Sequence, residues 1–108
     1  MNDKFLSFLG LARRAGKLMC GVRAVEEGIR SGHVRLIIMA TDATSNTARG
    51  LFTIATRENI VVIKYGTMLT IGNAVGSGET AAVALTDKGF ADAAIKKYRE
   101  GITQSDFK

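Results

Sequence analysis

Three short apolar runs stand out along the chain, Leu36 to Ala40, Ile60 to Ile63 and Ala81 to Leu85, each of strand length and each bounded by polar residues or glycine. Runs of this kind read as strands buried on both faces of one sheet. Between the first two, Asp42 to Thr47 is rich in capping side chains, and Leu51, Ile54 and Ala55 follow at helical spacing. That predicts a strand, helix, strand unit. Phe5, Phe8, Leu9 and Ala12 share one face of an N-terminal helix, and Val22, Val25 and Ile29 one face of a second that opens at Gly21. Lys17 to Cys20 adds a short first strand. Thr67 to Val75 has room for about two helical turns before the loop Gly76-Ser77-Gly78. A last helix over Asp87 to Arg99 turns Phe90, Ala94 and Ile95 inward, and a loose polar tail is expected from about residue 100. Helices alternating with strands predict an α/β fold, a three-layer sandwich around a small sheet.

Length and composition bound this picture without naming a chemistry. At 108 residues and 46% hydrophobic, the chain suits one domain able to bury roughly two thirds of its unfolded surface. Cys20 is the only cysteine and His33 the only histidine, so no disulfide and no structural zinc site is expected, and the compartment is read as reducing. No apolar run reaches membrane-spanning length and no secretory signal pattern opens the chain, so a soluble, cytoplasmic protein is expected, with no membrane partner. Proline is absent, leaving the turns to glycine, asparagine and aspartate.

Charge changes the picture more. The formal net charge is +5, and the first 35 residues carry seven Lys or Arg (Lys4, Arg13, Arg14, Lys17, Arg23, Arg30, Arg35) against three acids. Nucleic acid is the commonest partner of a basic surface of this kind, with a solvated face as the plain alternative. Within the basic stretch, Gly21 stands directly before a helix. A helix start leaves about four backbone N–H groups unpaired, and a residue without Cβ lets phosphate or a base edge come close. Arg23 in the first turn opposes the helix dipole, by about 0.3–1 kcal/mol if exposed, unless an anion compensates. Alone, Gly21 is equally a turn residue; Arg14 and Lys17 nearby strengthen the binding reading.

Other motifs weigh less. Gly76 to Thr80 lacks the Gly-Lys-Ser/Thr of a phosphate loop and precedes a strand, where a dinucleotide fingerprint follows one. Asp42 has no second acid beside it to hold Mg²⁺ and suits helix capping better. Cys20 lacks a base and reads as a small hydrophobe, and Met19, Met39 and Met68 as core fillers. No catalytic site, metal or cofactor is expected.

The blocks Leu9-Gly10-Leu11-Ala12 with Arg14-Ala15 and Lys17, then Gly21, Thr41 to Ala48, Ile71-Gly72 with Gly76, and Thr86 to Ala91, in this order over roughly residues 5 to 98, resemble the ribosomal protein L7Ae family. The likeness is strongest to its bacterial YlxQ-type branch, small basic proteins associated with translation. The resemblance implies an α/β/α sandwich around a four-stranded mixed sheet, and binding of kink-turn RNA. It implies a site at Gly21, Val22, Arg23, Ala24 and Glu27, with Thr44, and at the loop Val75-Gly76-Ser77, which in the family covers an extruded base. The family's signature at the helix start is Gly-x-Asn-Glu-x-x-Lys, and only the glycine is kept here, Arg23, Ala24 and Glu27 holding the other places. The missing acceptor and the reversed charge should each cost about 1–3 kcal/mol on an unchanged kink-turn, while Arg23 can pair bidentately with guanine or phosphate.

The function expected is therefore noncatalytic binding of structured RNA, ribosomal or regulatory, by a monomer working in translation or ribosome assembly. Arg14, Lys17 and Arg23 are expected to supply phosphate contacts, with Arg30 and Arg49 at the edges. The competing class is a protein-interaction module that kept the fold and lost the RNA signature. A small nucleotide-binding enzyme has only Asp42 and the glycine-rich loop in its favour.

Overall fold

The computed structural model describes residues 3–106, with side-chain surroundings as far as Gly101. In chain order the elements are α1 (Lys4–Arg14), β1 (Leu18–Cys20), α2 (Val22–Arg30), β2 (Leu36–Met39), α3 (Ser45–Arg57), β3 (Val62–Lys64), α4 (Met68–Val75), β4 (Ala82–Leu85) and α5 (Lys88–Asp106). The strands form one mixed sheet in the order β1-β4-β2-β3. β4 runs antiparallel to both β1 and β2, and β3 is parallel to β2.

Side-chain alternation along the two central strands splits the core into two layers. Leu36, Ile38 and Ala40 from β2 and its end, with Val83 and Leu85 from β4, join Phe5, Leu9 and Ala12 of α1, Ile71 and Val75 of α4, and Ala91 and Ala94 of α5. Ile37 and Met39, with Ala82 and Ala84, face Val25 and Ile29 of α2 and Leu51 and Ala55 of α3. The three-layer α/β/α sandwich is thus α1, α4 and α5 on one face and α2 and α3 on the other. Both central strands are buried throughout, as their unbroken apolar runs require.

Two elements depart from the sequence expectation. The third strand covers Val62–Lys64 rather than Ile60 to Ile63. Asn59 takes a left-handed conformation at φ 59°, and the Ile60 N–H donates to the Ala55 carbonyl at 2.8 Å, so Ile60 closes the end of α3. The last helix continues to Asp106, past the expected stop at Arg99. No proline interrupts it, and Gly101, beyond the expected stop, costs only about 1 kcal/mol relative to alanine. The rest of the expected loose tail lies outside the described residues.

One close approach fixes the geometry of the α4 end. A Cβ on Gly72 would run into the backbone carbonyl of Gly78, so the chain leaving α4 folds back over its own helix only because residue 72 has no side chain.

Candidate nucleic-acid interface

Cys20 ends β1, and the next residue turns the chain into α2. Gly21 holds φ 98° and ψ 148°, a backbone conformation that residues with a side chain rarely take. Its N–H donates to Ala82 O at 2.9 Å, and its carbonyl accepts from Val25 N at 3.0 Å, so it is tied to the start of β4 while it opens the helix. No side chain caps α2 and its first turn holds no acid. The N–H groups of Val22, Arg23 and Ala24 therefore point outward without an acceptor among the described residues. Arg23 and Glu27, one turn apart, are both exposed on this face, and no ion pair joins them.

The second half of the interface is the turn after α4. Gly76 caps that helix in the left-handed conformation, at φ 73° and ψ 31°, and Ser77 N–H returns to Gly72 O at 3.0 Å. Gly76, Ser77, Gly78 and Glu79 are exposed. Val75 is not: at 5% exposure it belongs to the core and supports the loop from beneath. Thr80 is buried and donates through its hydroxyl to Ala82 O at 3.2 Å. Ala82 thus receives both halves, since Gly21 N–H reaches the same carbonyl.

Arg13 joins the halves from the α1 side. Its guanidinium donates to Cys20 Sγ at 2.7 Å and to Val75 O at 3.4 Å, spanning the residue before Gly21 and the last residue of α4. Burial pushes the Cys20 thiol up from its usual range, and the Arg13 charge and hydrogen bond pull part of the way back. In the sequence Arg13 is one cation among several. Only its contacts across 62 residues of chain mark it as the clasp of this site.

The β2–α3 connection lies at the same end of the sheet, because Met39 at the end of β2 pairs with Ala82. Thr44, exposed, is the N-cap of α3, its hydroxyl accepting from Thr47 N at 3.3 Å. Asp42 is a helix cap, as its surroundings in sequence suggest, but for α4 and not α3: Oδ1 accepts from Met68 N at 2.8 Å. Thr41 adds a hydroxyl bond to Gly66 O at 2.7 Å. Three loops from separate parts of the chain are thereby locked around one end of the sheet.

The basic run does not gather there. Lys17 precedes β1 and Gly21 follows it, so the two lie at opposite ends of that strand, about 13 Å of extended chain apart. Arg30 closes α2, a whole helix away from Arg23. Arg14 lies beside Gly10, Thr70 and Asn73 in the furrow between α1 and α4. Arg49 sits on α3, a turn beyond its Thr44 cap. Of the sequence-predicted set, the structure groups Gly21, Val22, Arg23, Ala24, Thr44, Gly76 and Ser77 at one sheet end, with Glu27 one turn up α2.

Among the described residues no cluster of His, Cys, Asp or Glu could hold a metal, and no helix is long and apolar enough to cross a membrane. Exposed backbone donors, one guanidinium and a glycine-rich loop gathered at one sheet end suit contact with an anionic polymer.

The model of the ribosomal protein L7Ae/L30e/S12e/Gadd45 family matches residues 3–95. The chain belongs to this family. It is 32% identical over 92 residues to the RNA-binding protein YlxQ of Bacillus subtilis (strain 168), covering 85% of this chain and 92% of that one. A Bacillus halodurans protein described as being of unknown function superposes with a TM-score of 0.85 at 31% identity, over 89% of this chain and 97% of its own. The 15.5kD RNA binding protein of Giardia lamblia shares the fold, with a TM-score of 0.76 at 14% identity, over 93% of this chain and 89% of its own. Against the L7Ae family signature, Arg23, Ala24 and Glu27 all fall on the first two turns of α2, so the departure from it is concentrated on the face that Gly21 opens.

Proposed function

We propose that this L7Ae-family chain is a noncatalytic RNA-binding protein, a single-domain cytoplasmic monomer that docks the Gly21 helix start and the Gly76 loop on structured ribosomal or regulatory RNA. The observation that carries this reading is the meeting of both segments on the Ala82 carbonyl, with the first-turn N–H groups of α2 left open beside exposed Arg23. The name of the Bacillus subtilis relative supports it. Arg23 replaces the family's polar edge reader with a bidentate donor, which suits a guanine edge or a phosphate better than the usual tandem G·A pair.

Titration against a kink-turn RNA and a G·A-disrupted control, with wild type and Arg23→Ala, tests the reading. Binding to the kink-turn RNA, tighter than or equal to that of the control, that falls about tenfold in the variant supports it. Absence of binding to either RNA removes it. A protein-interaction role is the second reading, favoured by Ala24 and Glu27 at signature positions and by Leu69, 54% exposed in the first turn of α4. Salt-insensitive capture of a protein partner, lost in Leu69→Ser, would mark that case.

A further inference from the structure

The end of the sheet opposite Gly21 carries the cations that the interface lacks. Leu18, Leu85 and Leu36 form its last register row across β1, β4 and β2. The residues just beyond are Lys17, Thr86 and Arg35, so the two cations flank the threonine from neighbouring strands. Thr86 N–H donates to Lys17 O at 3.0 Å and Arg35 N–H to Leu85 O at 2.8 Å, which holds the three backbones together. Two strand spacings put the Lys17 and Arg35 backbones about 10 Å apart. Lys17 and Arg35 are exposed, and neither side chain has a hydrogen bond or ion pair among the described residues. Asp87, next to Thr86, accepts from Phe90 N–H at 3.0 Å.

Arg30 and Arg57 also lie toward this end, but each stands in the last turn of a helix, where a cation is expected for the dipole alone. Arg35 has no such explanation, and Lys17 stands two residues past the α1 C-cap, where its N–H donates to Ala12 O at 2.9 Å. Beside them opens a cleft of about 440 Å³ lined by Leu18, Met19, His33, Arg35 and Thr86. Ser31 Oγ lies 3.0 Å from His33 Nδ1 and orients the ring at its rim. An apolar floor, an oriented aromatic ring and two unpaired cations match the parts of an unpaired nucleotide, base and phosphate.

We propose that this cleft is a second RNA-contact site, which stacks an unpaired base on His33 and holds the adjoining phosphates between Lys17 and Arg35. The protein then touches RNA at both ends of its sheet and bridges two segments of it. The inference goes beyond the reading of the Gly21 end and does not depend on it.

Fluorescence anisotropy of a labelled short oligouridylate, titrated with the full chain between about 50 and about 200 mM salt, tests it. His33→Ala should weaken binding about fivefold or more with the salt slope unchanged, and His33→Phe should restore it. Lys17→Ala with Arg35→Ala should weaken binding and reduce the slope by about 1.4. Lys96→Ala, at an exposed cation of α5, should leave oligouridylate binding as it was, and Arg23→Ala is titrated in parallel. Wild-type binding in both far-end variants, loss confined to Arg23→Ala, or no oligouridylate binding by wild type would each overturn the proposal. Because the Gly21 reading is tested on kink-turn RNA, either site can fail without the other. All three residues are exposed, and thermal melts run beside each titration separate binding from folding.

Discussion

Single residues here act through what they permit as much as through what they contact. Gly21 and Gly72 differ in this respect. Around Gly21 nothing lies within 4 Å of where a Cβ would stand, so Gly21→Ala meets only the strain of its φ, 98°, about 1–3 kcal/mol. Gly72→Ala instead collides with the Gly78 backbone and must displace the loop. We expect Gly72→Ala to be the more destabilising in chemical denaturation and to weaken RNA binding by moving the Gly76 turn, whereas an equal loss for the two would contradict the close approach. Tyr65 supplies a pH signature. Its hydroxyl donates to Asp3 Oδ2 at 2.6 Å, and burial, then the Asp3 hydrogen bond and charge, push its pKa up to about 12. An unfolded tyrosine titrates near about 10, so the fold favours the protonated form. The stability from this contact is complete below about pH 10 and is lost as pH rises toward about 12. Denaturation of wild type should therefore steepen in pH dependence over that window, and Tyr65→Phe should flatten it.

At the level of elements, helix starts are where the sequence and the packing interlock. The α4 start is held by the Thr67–Thr70 capping box and, from across the chain, by Asp42. Asp42→Ala should cost about 1 kcal/mol of stability, read as a lower melting midpoint. Because Thr67 serves the same turn, the double variant with Thr67→Ala should depart from additivity. The α2 start is the exception, with no side-chain cap and an arginine in its first turn. The element therefore enters the folded state with unmet donors, the condition for anion contact. The helix faces themselves were legible from spacing: Phe5, Leu9 and Ala12 on α1, Val25 and Ile29 on α2, and Leu51 and Ala55 on α3 are all buried as their periodicity required. The bounds of β3 and α5 were not, because hydrogen bonds outside the local pattern decide where an element stops.

Among the cations read as RNA contacts, Arg23 and Arg49 lie toward one end of the sheet and Lys17 and Arg30 toward the other. An RNA confined to the Gly21 end meets chiefly Arg23 and Arg49, and its affinity should fall with salt at a log–log slope of roughly −1 to −2. An RNA long enough to reach Lys17 and Arg35 as well should show roughly −3 to −4. Measuring both lengths across a salt series checks the division, and equal slopes would show that the far end takes no part. The sequence by itself determined the layers, the strand count, the buried faces and the glycine at the helix start, because each of these follows from hydrophobic period or from the missing Cβ, which are local properties of the chain. It also held the blocks that place the chain in its family. Which cations share a surface was decided only by the tertiary structure. Lys17 and Gly21 are near in sequence yet lie at opposite ends of β1, while Arg13 and Val75, 62 residues apart, meet at 3.4 Å. A strand carries its two ends apart by about 3.3 Å per residue, whereas two helices packed on the same face of the sheet, as α1 and α4 are, bring distant residues together, so proximity along the chain is a poor guide to a site built where strands begin and end.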